Sequence, residues 1–257
     1  MASESQQDPL NFDGKVVIVT GGARGVGAGI TARFTHAGAS VVICGRSEPG
    51  ELAGGVSFVQ ADVRDVDDIE RLVQTTLDMH GRLDTVVNNA GGSPNADSAT
   101  ASPRFSEAII RLNLIAPLNL AQRANAVMQD HETGGTIINI ASVSGTRPSP
   151  GTAAYGAAKA GLLNLTQTLA IDFAPKVRVN AVTAGLIETE QAELHYGDAD
   201  GVERVAATVP LRRMGTPEDI ADACLFLASP LSSYVNGANL LVHGGGERPA
   251  FLAAGKG

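Results

Sequence analysis

Apolar and polar positions alternate along this chain in two different patterns. Seven short runs rich in Val, Ile and Leu, typical of buried parallel strands, lie at residues 15–20, 39–44, 56–61, 83–87, 135–141, 177–182 and 240–242. Between them apolar residues recur at helical spacing, most clearly at Ile69, Leu72, Val73 and Leu77. Strands that alternate with helices predict an α/β fold, a doubly wound parallel sheet with helices on both faces.

The same pattern predicts how the rest of the chain is organised. Helices are expected from the first glycine-rich turn to residue 36, and over residues 66–79, 105–129, 155–173 and 217–227. We interpret residues 1–257 as one domain, since neither a linker nor an internal repeat interrupts the pattern. An N-terminal arm, a substrate lid and a C-terminal tail are predicted at residues 1–13, 186–209 and 247–257.

Composition argues against several classes of function. The net charge is -8 and the chain has no run of Lys or Arg, so nucleic acid is not an expected partner. The two cysteines and five histidines lack the spacing of a disulfide framework or of metal ligands, and we predict no metal site. The N-terminal residues do not resemble a signal peptide and no apolar run has the length of a membrane span, which favours a cytoplasmic protein.

A glycine-rich turn follows the first predicted strand and leads into a helix. Thr20 to Gly27 have the spacing T-G-x-x-x-G-x-G. After a strand and before a helix, such glycines let the backbone approach a pyrophosphate, and the helix N-terminus offers N–H groups and a positive dipole. A turn that is merely tight is the alternative interpretation. The residues of this predicted Rossmann-type dinucleotide site are Gly21, Arg24, Gly25, Val26 and Gly27.

The end of the second strand bears on which dinucleotide is bound. An acidic residue there would bond the adenosine ribose of NAD, whereas an arginine accommodates the 2′-phosphate of NADP. The strand is followed by Arg46 and Ser47, and Arg24 lies in the glycine turn. These cations favour NADP, but NAD stays possible if Arg46 is solvated and Glu48 turns back to the ribose.

Ser142, Tyr155 and Lys159 form the candidate catalytic set. Tyr155 and Lys159 are four residues apart in a predicted helix, so their side chains leave the same face. A neighbouring cation lowers the pKa of a phenol from about 10, and the tyrosine can then exchange a proton with an alcohol or carbonyl oxygen. Ser142 closes a predicted strand and can bond the same oxygen. A chance Tyr-x-x-x-Lys in a helix is the alternative interpretation.

Two groups of amides extend this prediction. Residues 88–92, N-N-A-G-G, occupy the carboxyl end of the fourth strand, where small residues and amides suit backbone that passes close to a ligand. Asn113 lies inside a predicted helix, although asparagine is a poor residue for a helix interior. Its amide has a specific task, or it sits at a bend, or it only satisfies a local carbonyl.

Together these motifs resemble the short-chain dehydrogenase/reductase family. The resemblance rests on the order and spacing of T-G-x-x-x-G-x-G, Asp62, N-N-A-G, Asn113, Ser142 and Y-x-x-x-K, and it covers nearly the whole chain. It implies that Tyr155 is the general acid/base, that Ser142 orients the substrate oxygen, and that Lys159 bonds the nicotinamide ribose and lowers the tyrosine pKa. Asn113 would hold a water that links Lys159 to solvent.

The resemblance also implies cofactor contacts and an assembly. The contacts to adenine, the ribose region and the carboxamide fall on Asp62, Val63, Asn89, Ala90, Gly91, Gly185, Ile187 and Thr189. Family members usually form tetramers, so a homotetramer or homodimer is expected. Two departures concern loop and interface detail: Ala184 precedes Gly185 where the family often has proline, and His243 stands where it often has aspartate.

The predicted function is therefore an NAD(P)-dependent oxidoreductase that interconverts a secondary alcohol and a ketone by hydride transfer. The alternative is a catalytically silent binding protein that senses the cofactor on the same fold. A methyltransferase also has a glycine-rich first turn, but it has no use for Tyr155 and Lys159. Acyl thioesters, sterols, polyols, sugars and aromatic ketones all remain open as substrate classes.

Overall fold

Seven parallel strands form one sheet within the described part of this computed structural model, which comprises residues 8–190, 198–247 and 249. In chain order they are β1 (Val16–Thr20), β2 (Ser40–Gly45), β3 (Val56–Gln60), β4 (Thr85–Asn88), β5 (Gly135–Ser142), β6 (Val177–Ala184) and β7 (Asn239–Val242). Across the sheet their order is β3-β2-β1-β4-β5-β6-β7, and every neighbouring pair is parallel. The carboxyl ends of all these strands therefore lie on one edge.

Helices fill most of the connections between the strands. They are α1 (Gly25–His36), α2 (Val66–His80), α3 (Pro103–Ile110), α4 (Ala116–Asp130), α5 (Ala153–Asp172), α6 (Ala199–Ala206) and α7 (Pro217–Ala228). The observed strands agree with the predicted runs to within two residues at each end, which confirms the predicted doubly wound α/β fold. Of the helices described here, none has both the length and the apolar character needed to span a membrane.

The apolar core lies on both faces of the sheet. In β1, Ile18 packs in a cluster with residues of α2, α4 and α5, whereas Val17 and Val19 pack on the opposite face with residues of α1 and α7. All three side chains are fully buried. Because both faces of this strand are covered, its sequence is a continuous apolar run with no polar alternation.

The helix expected over residues 105–129 is two helices. It begins earlier than expected, at Pro103, where the Ser102 hydroxyl accepts a hydrogen bond from the N–H of Phe105. A π-helical turn, Arg111–Ile115, separates α3 from α4, and the Ala116 N–H donates to the Arg111 carbonyl five residues back. Asn113 therefore lies in a widened helical turn and not in the interior of a regular α-helix.

The lid segment is more regular than its polar composition indicated. Residues 199–206 form α6, and the Asp198 carboxylate caps it by accepting a hydrogen bond from the N–H of Gly201. Val202, Val205 and Ala206 give this helix an apolar face at helical spacing, but the signal is short and is surrounded by Asp, Glu and Gly. Residues 191–197 of the predicted lid lie outside the described residues.

The N-terminal arm is packed where the structure describes it. Phe12 is buried, and its ring meets the Phe34 ring of α1 edge-on with the centroids 5.3 Å apart. The Phe12 N–H also donates to the carbonyl of Ala37 at 2.7 Å. Phe12 therefore anchors the described part of the arm against α1. Residues 1–7, 248 and 250–257 of the arm and tail lie outside the described residues.

The strand order reverses between β1 and β4, and the ends of these two strands are tied together. The Thr20 hydroxyl oxygen accepts hydrogen bonds from the backbone N–H groups of Asn89 and Ala90, at 3.0 and 2.9 Å. The Asn89 side-chain amide donates back to the Thr20 carbonyl at 2.8 Å. A reversal of this kind opens a crevice at the carboxyl edge, where open α/β sheets bind their ligands.

The opposite edge of the sheet is held by a buried carboxylate. Asp84 accepts hydrogen bonds from the Val16 N–H at 3.0 Å, from Lys15 Nζ at 3.1 Å and from Arg82 Nε at 2.7 Å. Burial raises the pKa of the Asp84 carboxyl, but the bonds from Arg82 and Val16 and the charge of Lys15 outweigh burial, and the pKa is lowered. The ionised carboxylate therefore stabilises the pairing of β1 with β4.

We expect Asp84→Asn to lower the free energy of unfolding by about 1–3 kcal/mol at pH 7, because the amide turns a donor toward groups that also donate. The folded-state pKa is lowered, so this contribution is fully present above the unfolded pKa near 4 and is lost as the pH falls through the folded value. Urea unfolding at pH 7 and pH 3 measures it. An equal loss of stability at both pH values would contradict the electrostatic role.

Candidate functional site

A cavity of about 790 Å³ opens at the carboxyl edge of the sheet, across the reversal between β1 and β4. Its volume lies within the usual range of cofactor and ligand sites. The sequence-predicted residues that line it are Gly21, Arg24, Gly25, Val26, Gly27, Arg46, Ser47, Asp62, Val63, Asn89, Ala90, Gly91, Ser142, Tyr155, Lys159, Gly185 and Thr189. Ile187 is not in the wall: its backbone bridges to Gly215 and its side chain packs toward the core.

The glycine turn brings backbone, not side chains, to the wall of the cavity. A Cβ at Gly27 would lie 2.2 Å from the carbonyl oxygen of Gly21 and 2.6 Å from the side-chain nitrogen of Asn89, so only glycine fits. The turn leads directly into α1, whose first residue is Gly25. Positive dipole and N–H groups therefore face the cavity at this point, as an anionic phosphate requires.

An acidic side chain occupies this helix end in the structure. The Glu190 carboxylate, from the segment after β6, accepts a hydrogen bond from the Gly25 N–H at 3.0 Å. Glu190 is exposed and also lines the cavity. Sequence analysis missed this residue, since no local pattern pairs two positions 165 residues apart.

The candidate catalytic residues Ser142, Tyr155 and Lys159 all line the cavity. Lys159 Nζ lies 5.6 Å from the centre of the Tyr155 ring and donates a hydrogen bond to the Ile140 carbonyl at 2.7 Å. Ser142 stands at the end of the same strand, β5, and its hydroxyl accepts a bond from the Ser144 N–H at 3.2 Å. The predicted proximity of tyrosine and lysine on one helix face is therefore present in the folded chain.

Lys159 is unusual because its ammonium is buried. Only 3% of the residue is exposed, and burial lowers its pKa from 10.5 to about 8. The cation still lies close enough to the Tyr155 ring for its field to favour a phenolate over a phenol. The arrangement places a buried cation beside a phenol, which is the combination that acid–base chemistry at a tyrosine requires.

Asn113 is fully buried outside the cavity wall, in the π-helical turn, and it joins that turn to the N-N-A-G segment. Its Nδ2 donates to the carbonyls of Ile109 and Gly92, at 2.9 and 3.0 Å, and its Oδ1 accepts from the Gly92 N–H at 2.9 Å. A Cβ at Gly91 would lie 2.6 Å from Asn113 Oδ1 and 3.3 Å from Lys159 Nζ. Asn113 thus satisfies a local carbonyl and also fixes backbone beside the buried ammonium.

The far end of the cavity, around the ends of β2 and β3, is rich in arginine. Arg24, Arg46 and Arg64 line it together with Asp62. Arg64 was not among the predicted site residues, although it follows Asp62 by only two positions. Its guanidinium turns back and forms an ion pair with the Asp62 carboxylate. Sequence spacing alone does not specify that turn of the side chain.

A second, smaller cavity of about 190 Å³ adjoins the first at Gly185. Val143, Leu186 and Val209 give it apolar walls, and His243 lies at one side. Arg147 and Glu247 also line it and form an ion pair. Because the two charges neutralise each other, this cavity suits an uncharged group better than an acid.

We expect Lys159→Met to change the pH dependence of stability. Below about pH 8 the folded wild-type protein holds a buried charged ammonium, and between about pH 8 and 10.5 the unfolded state binds more protons, so stability rises with pH. Relative to the variant, the wild-type protein should therefore gain stability across that interval, by on the order of 3 kcal/mol.

Denaturant unfolding of both proteins at several pH values from 7 to 11 measures this difference. Lys176→Met is the matched control, because it removes a lysine that is exposed in the folded state. A stability difference between wild type and Lys159→Met that stays constant over the whole range would refute the proposed burial of a charged amine.

Comparisons with known proteins agree with this geometry. A model of the family described as enoyl-(acyl carrier protein) reductase matches residues 21–247. The short-chain dehydrogenase/reductase SDRA of Arabidopsis thaliana is 36% identical over 251 residues, which cover 92% of this chain and 96% of the relative. The 3-oxoacyl-[acyl-carrier-protein] reductase FabG of Thermotoga maritima is 35% identical over 246 residues, covering 92% and 99%.

A solved structure is similar over the same length. Ligand-free aldohexose dehydrogenase of Thermoplasma acidophilum superposes with a TM-score of 0.86 at 31% sequence identity, covering 92% of this chain and 94% of that chain. Both the extent of the match and the identities are well above what a shared fold alone requires. The chain therefore belongs to the short-chain dehydrogenase/reductase family of oxidoreductases.

Proposed function

We propose that this protein interconverts a secondary alcohol and a ketone by hydride transfer, with NADP as the preferred cofactor and Tyr155 as the general acid/base. The observation that carries the proposal is the buried Lys159 ammonium 5.6 Å from the Tyr155 ring, on the wall of a cavity that Ser142 also lines. Burying a charge is costly. A cation buried there lowers the stability of the fold, and this favours a catalytic role for Lys159.

Side chains of the protein itself accept and donate the proton that the substrate oxygen loses or gains during hydride transfer. In the oxidative direction the Tyr155 phenolate accepts the proton of the substrate hydroxyl, while the Ser142 hydroxyl donates a hydrogen bond to the same oxygen. Lys159 stabilises the phenolate form through its charge, and the Ile140 carbonyl holds the ammonium in place. In the reductive direction Tyr155 returns the proton to the carbonyl oxygen.

The cavity fits a dinucleotide cofactor in two places. At the glycine turn the backbone of Gly27 leaves no room for a side chain, and α1 directs its N-terminus at the space where a pyrophosphate would bind. At the far end Arg24 and Arg46 offer positive charge to the adenosine 2′-phosphate of NADP. When bound, the nicotinamide supplies or accepts the hydride.

The substrate is proposed as a small alcohol or ketone. The names of two relatives point to a 3-oxoacyl group on a carrier protein and to an aldohexose, and both contain a carbonyl or a carbinol carbon. The cavity of about 190 Å³ beside Gly185 is the proposed position for the uncharged remainder of the substrate. A lid role for residues 186–209, a homotetramer or homodimer, and a cytoplasmic location stay predictions.

We expect Tyr155→Phe to lower turnover at least about a hundredfold, because phenylalanine has no proton to exchange. The dissociation constants for NADPH and NADH, measured by nicotinamide fluorescence, should stay within about twofold of wild type, since the ring is kept. Tyr234→Phe is the matched control, since Tyr234 is fully exposed at 102% of the reference area. Turnover is measured on a panel of ketones, sugars and secondary alcohols.

The outcome separates the two candidate functions. Turnover retained by Tyr155→Phe contradicts the acid/base role. Cofactor binding by wild type without turnover on any member of the panel favours the silent, cofactor-sensing alternative. Tighter binding of NADH than of NADPH contradicts the assigned roles of Arg24 and Arg46.

Glu190 gives a separate prediction about cofactor binding. Its carboxylate now bonds the Gly25 N–H, at the helix end where a pyrophosphate would bind, so a bound dinucleotide has to displace it. We expect Glu190→Gln to strengthen NADPH binding about two- to tenfold, because the variant removes a like charge from the pyrophosphate site. Fluorescence titration measures the dissociation constant, and Glu188→Gln in the same segment is the control. Weaker binding by Glu190→Gln would show that Glu190 helps to hold the cofactor.

A further inference from the structure

The arginine-rich end of the main cavity contains a specific pattern of charge pairing. We call the group of Arg46, Asp62, Arg64, Asp68 and Arg71 the charged rim; these residues line the cavity or the smaller depression beside it. They follow the carboxyl ends of β2 and β3 or lie in the first turns of α2. Three cations and two carboxylates therefore share one small area.

Arg64 forms hydrogen bonds with both carboxylate oxygens of Asp62. Oδ1 accepts hydrogen bonds from the Arg64 backbone N–H at 3.0 Å and from Nε at 2.9 Å, and Oδ2 accepts from Nη2 at 2.5 Å. The hydrogen bond from Arg64 is the largest cause of a lowered pKa at Asp62, and the charge of Arg46 lowers it further. Asp62 is therefore a stable anion close enough to Arg46 to feel its charge.

The second carboxylate of the charged rim, that of Asp68, is also paired with an arginine. Arg71 Nη2 lies 2.7 Å from Asp68 Oδ1, one helical turn along α2. Asp68 also accepts a hydrogen bond from the Asp62 N–H at 2.7 Å, which ties the two acidic residues together. Each acid of the rim is thus paired, and one cation is left over.

That cation is Arg46. Within the part of the chain that the structure describes, its guanidinium forms no ion pair, and the same is true of Arg24 in the glycine turn. The Gln60 side chain donates to the Arg46 carbonyl at 2.9 Å, which fixes the backbone of Arg46 next to the rim. If Arg64 were absent, Asp62 would be an unpaired anion on which the charge of Arg46 already acts, and it would attract the Arg46 side chain.

We propose that Arg64 is a positioning residue for cofactor choice: it neutralises Asp62 and so leaves Arg46 free to bind the 2′-phosphate of an adenosine nucleotide. This inference rests on the proposed cofactor site. Arg64 acts through Asp62 and not by touching the phosphate. Two arginines then face a dianionic phosphate with no carboxylate competing for them, whereas a ribose with a free 2′-hydroxyl gains nothing from the arrangement.

The test uses two half-cofactors that occupy only the adenosine end. Isothermal titration gives the dissociation constants of 2′,5′-ADP and of 5′-AMP, and their ratio isolates the contribution of the 2′-phosphate. We expect Arg64→Gln to reduce the preference for 2′,5′-ADP about three- to tenfold while 5′-AMP binding changes little. Arg64→Lys, which can still pair with Asp62, should keep most of the preference.

The double variant Asp62→Asn/Arg64→Gln distinguishes positioning from direct contact. With no carboxylate left to attract Arg46, the preference should return to within about twofold of wild type. If it stays low, Arg64 touches the phosphate itself and the positioning role is wrong. Arg123→Gln, which breaks an ion pair with Glu70 and involves no residue of the charged rim, is the control for the change in net charge.

The result also separates this inference from the proposed function. Equal affinity of wild type for both half-cofactors overturns the inference and the preference for NADP, while turnover and the effect of Tyr155→Phe still test the oxidoreductase. Binding of neither half-cofactor by wild type overturns the inference together with the dinucleotide site. Thermal unfolding of each variant shows that the ratios compare folded proteins.

Discussion

The hydrogen bond from Lys159 Nζ to the Ile140 carbonyl is the interaction on which the arrangement of the site depends. It joins α5 to β5 at the point where Ser142 ends the strand and Tyr155 faces the cavity. Burial of the Lys159 ammonium is itself unfavourable, and the loss of hydration lowers its pKa to about 8. A charge kept in such a place needs oxygen partners held rigidly around it. The rest of the fold supplies that rigidity.

Two buried amide networks provide it. The side chain of Asn113, which lies in the π-helical turn, forms hydrogen bonds with the backbone of Gly92. These bonds fix the backbone beside the Lys159 ammonium. Asn139, in β5, accepts from the Asn88 amide at 2.9 Å and donates to the Thr166 hydroxyl of α5, also at 2.9 Å. Fully satisfied polar networks of this kind specify one arrangement of strand and helix, because a slipped alternative leaves buried groups unpaired.

The two ends of the main cavity differ in how their charged side chains are paired. At the end lined by Tyr155 and Lys159 a cation is buried, and within the described residues it forms no ion pair with an acid, so its field acts on the neighbouring tyrosine. At the arginine-rich end the carboxylates of Asp62 and Asp68 are partly exposed to solvent, and each is paired with an arginine. Between them the N-terminus of α1 carries only partial charge and is covered by Glu190. The cavity therefore offers positive charge in two separate places, which is what the proposed dinucleotide with its phosphate groups requires.

The sequence by itself determined the strands, their order along the chain and the fold class, because apolar runs and helical spacing are local signals. It also placed Tyr155 four residues before Lys159, and helix geometry alone then makes them neighbours. Only the tertiary structure decided that Arg64 turns back onto Asp62, that Glu190 reaches Gly25, and that a π-helical turn splits the helix around Asn113. The last two arise from contacts between distant segments, and the first from one choice among several side-chain conformations. Neither kind of information is contained in residue spacing, because it depends on how the surrounding elements pack.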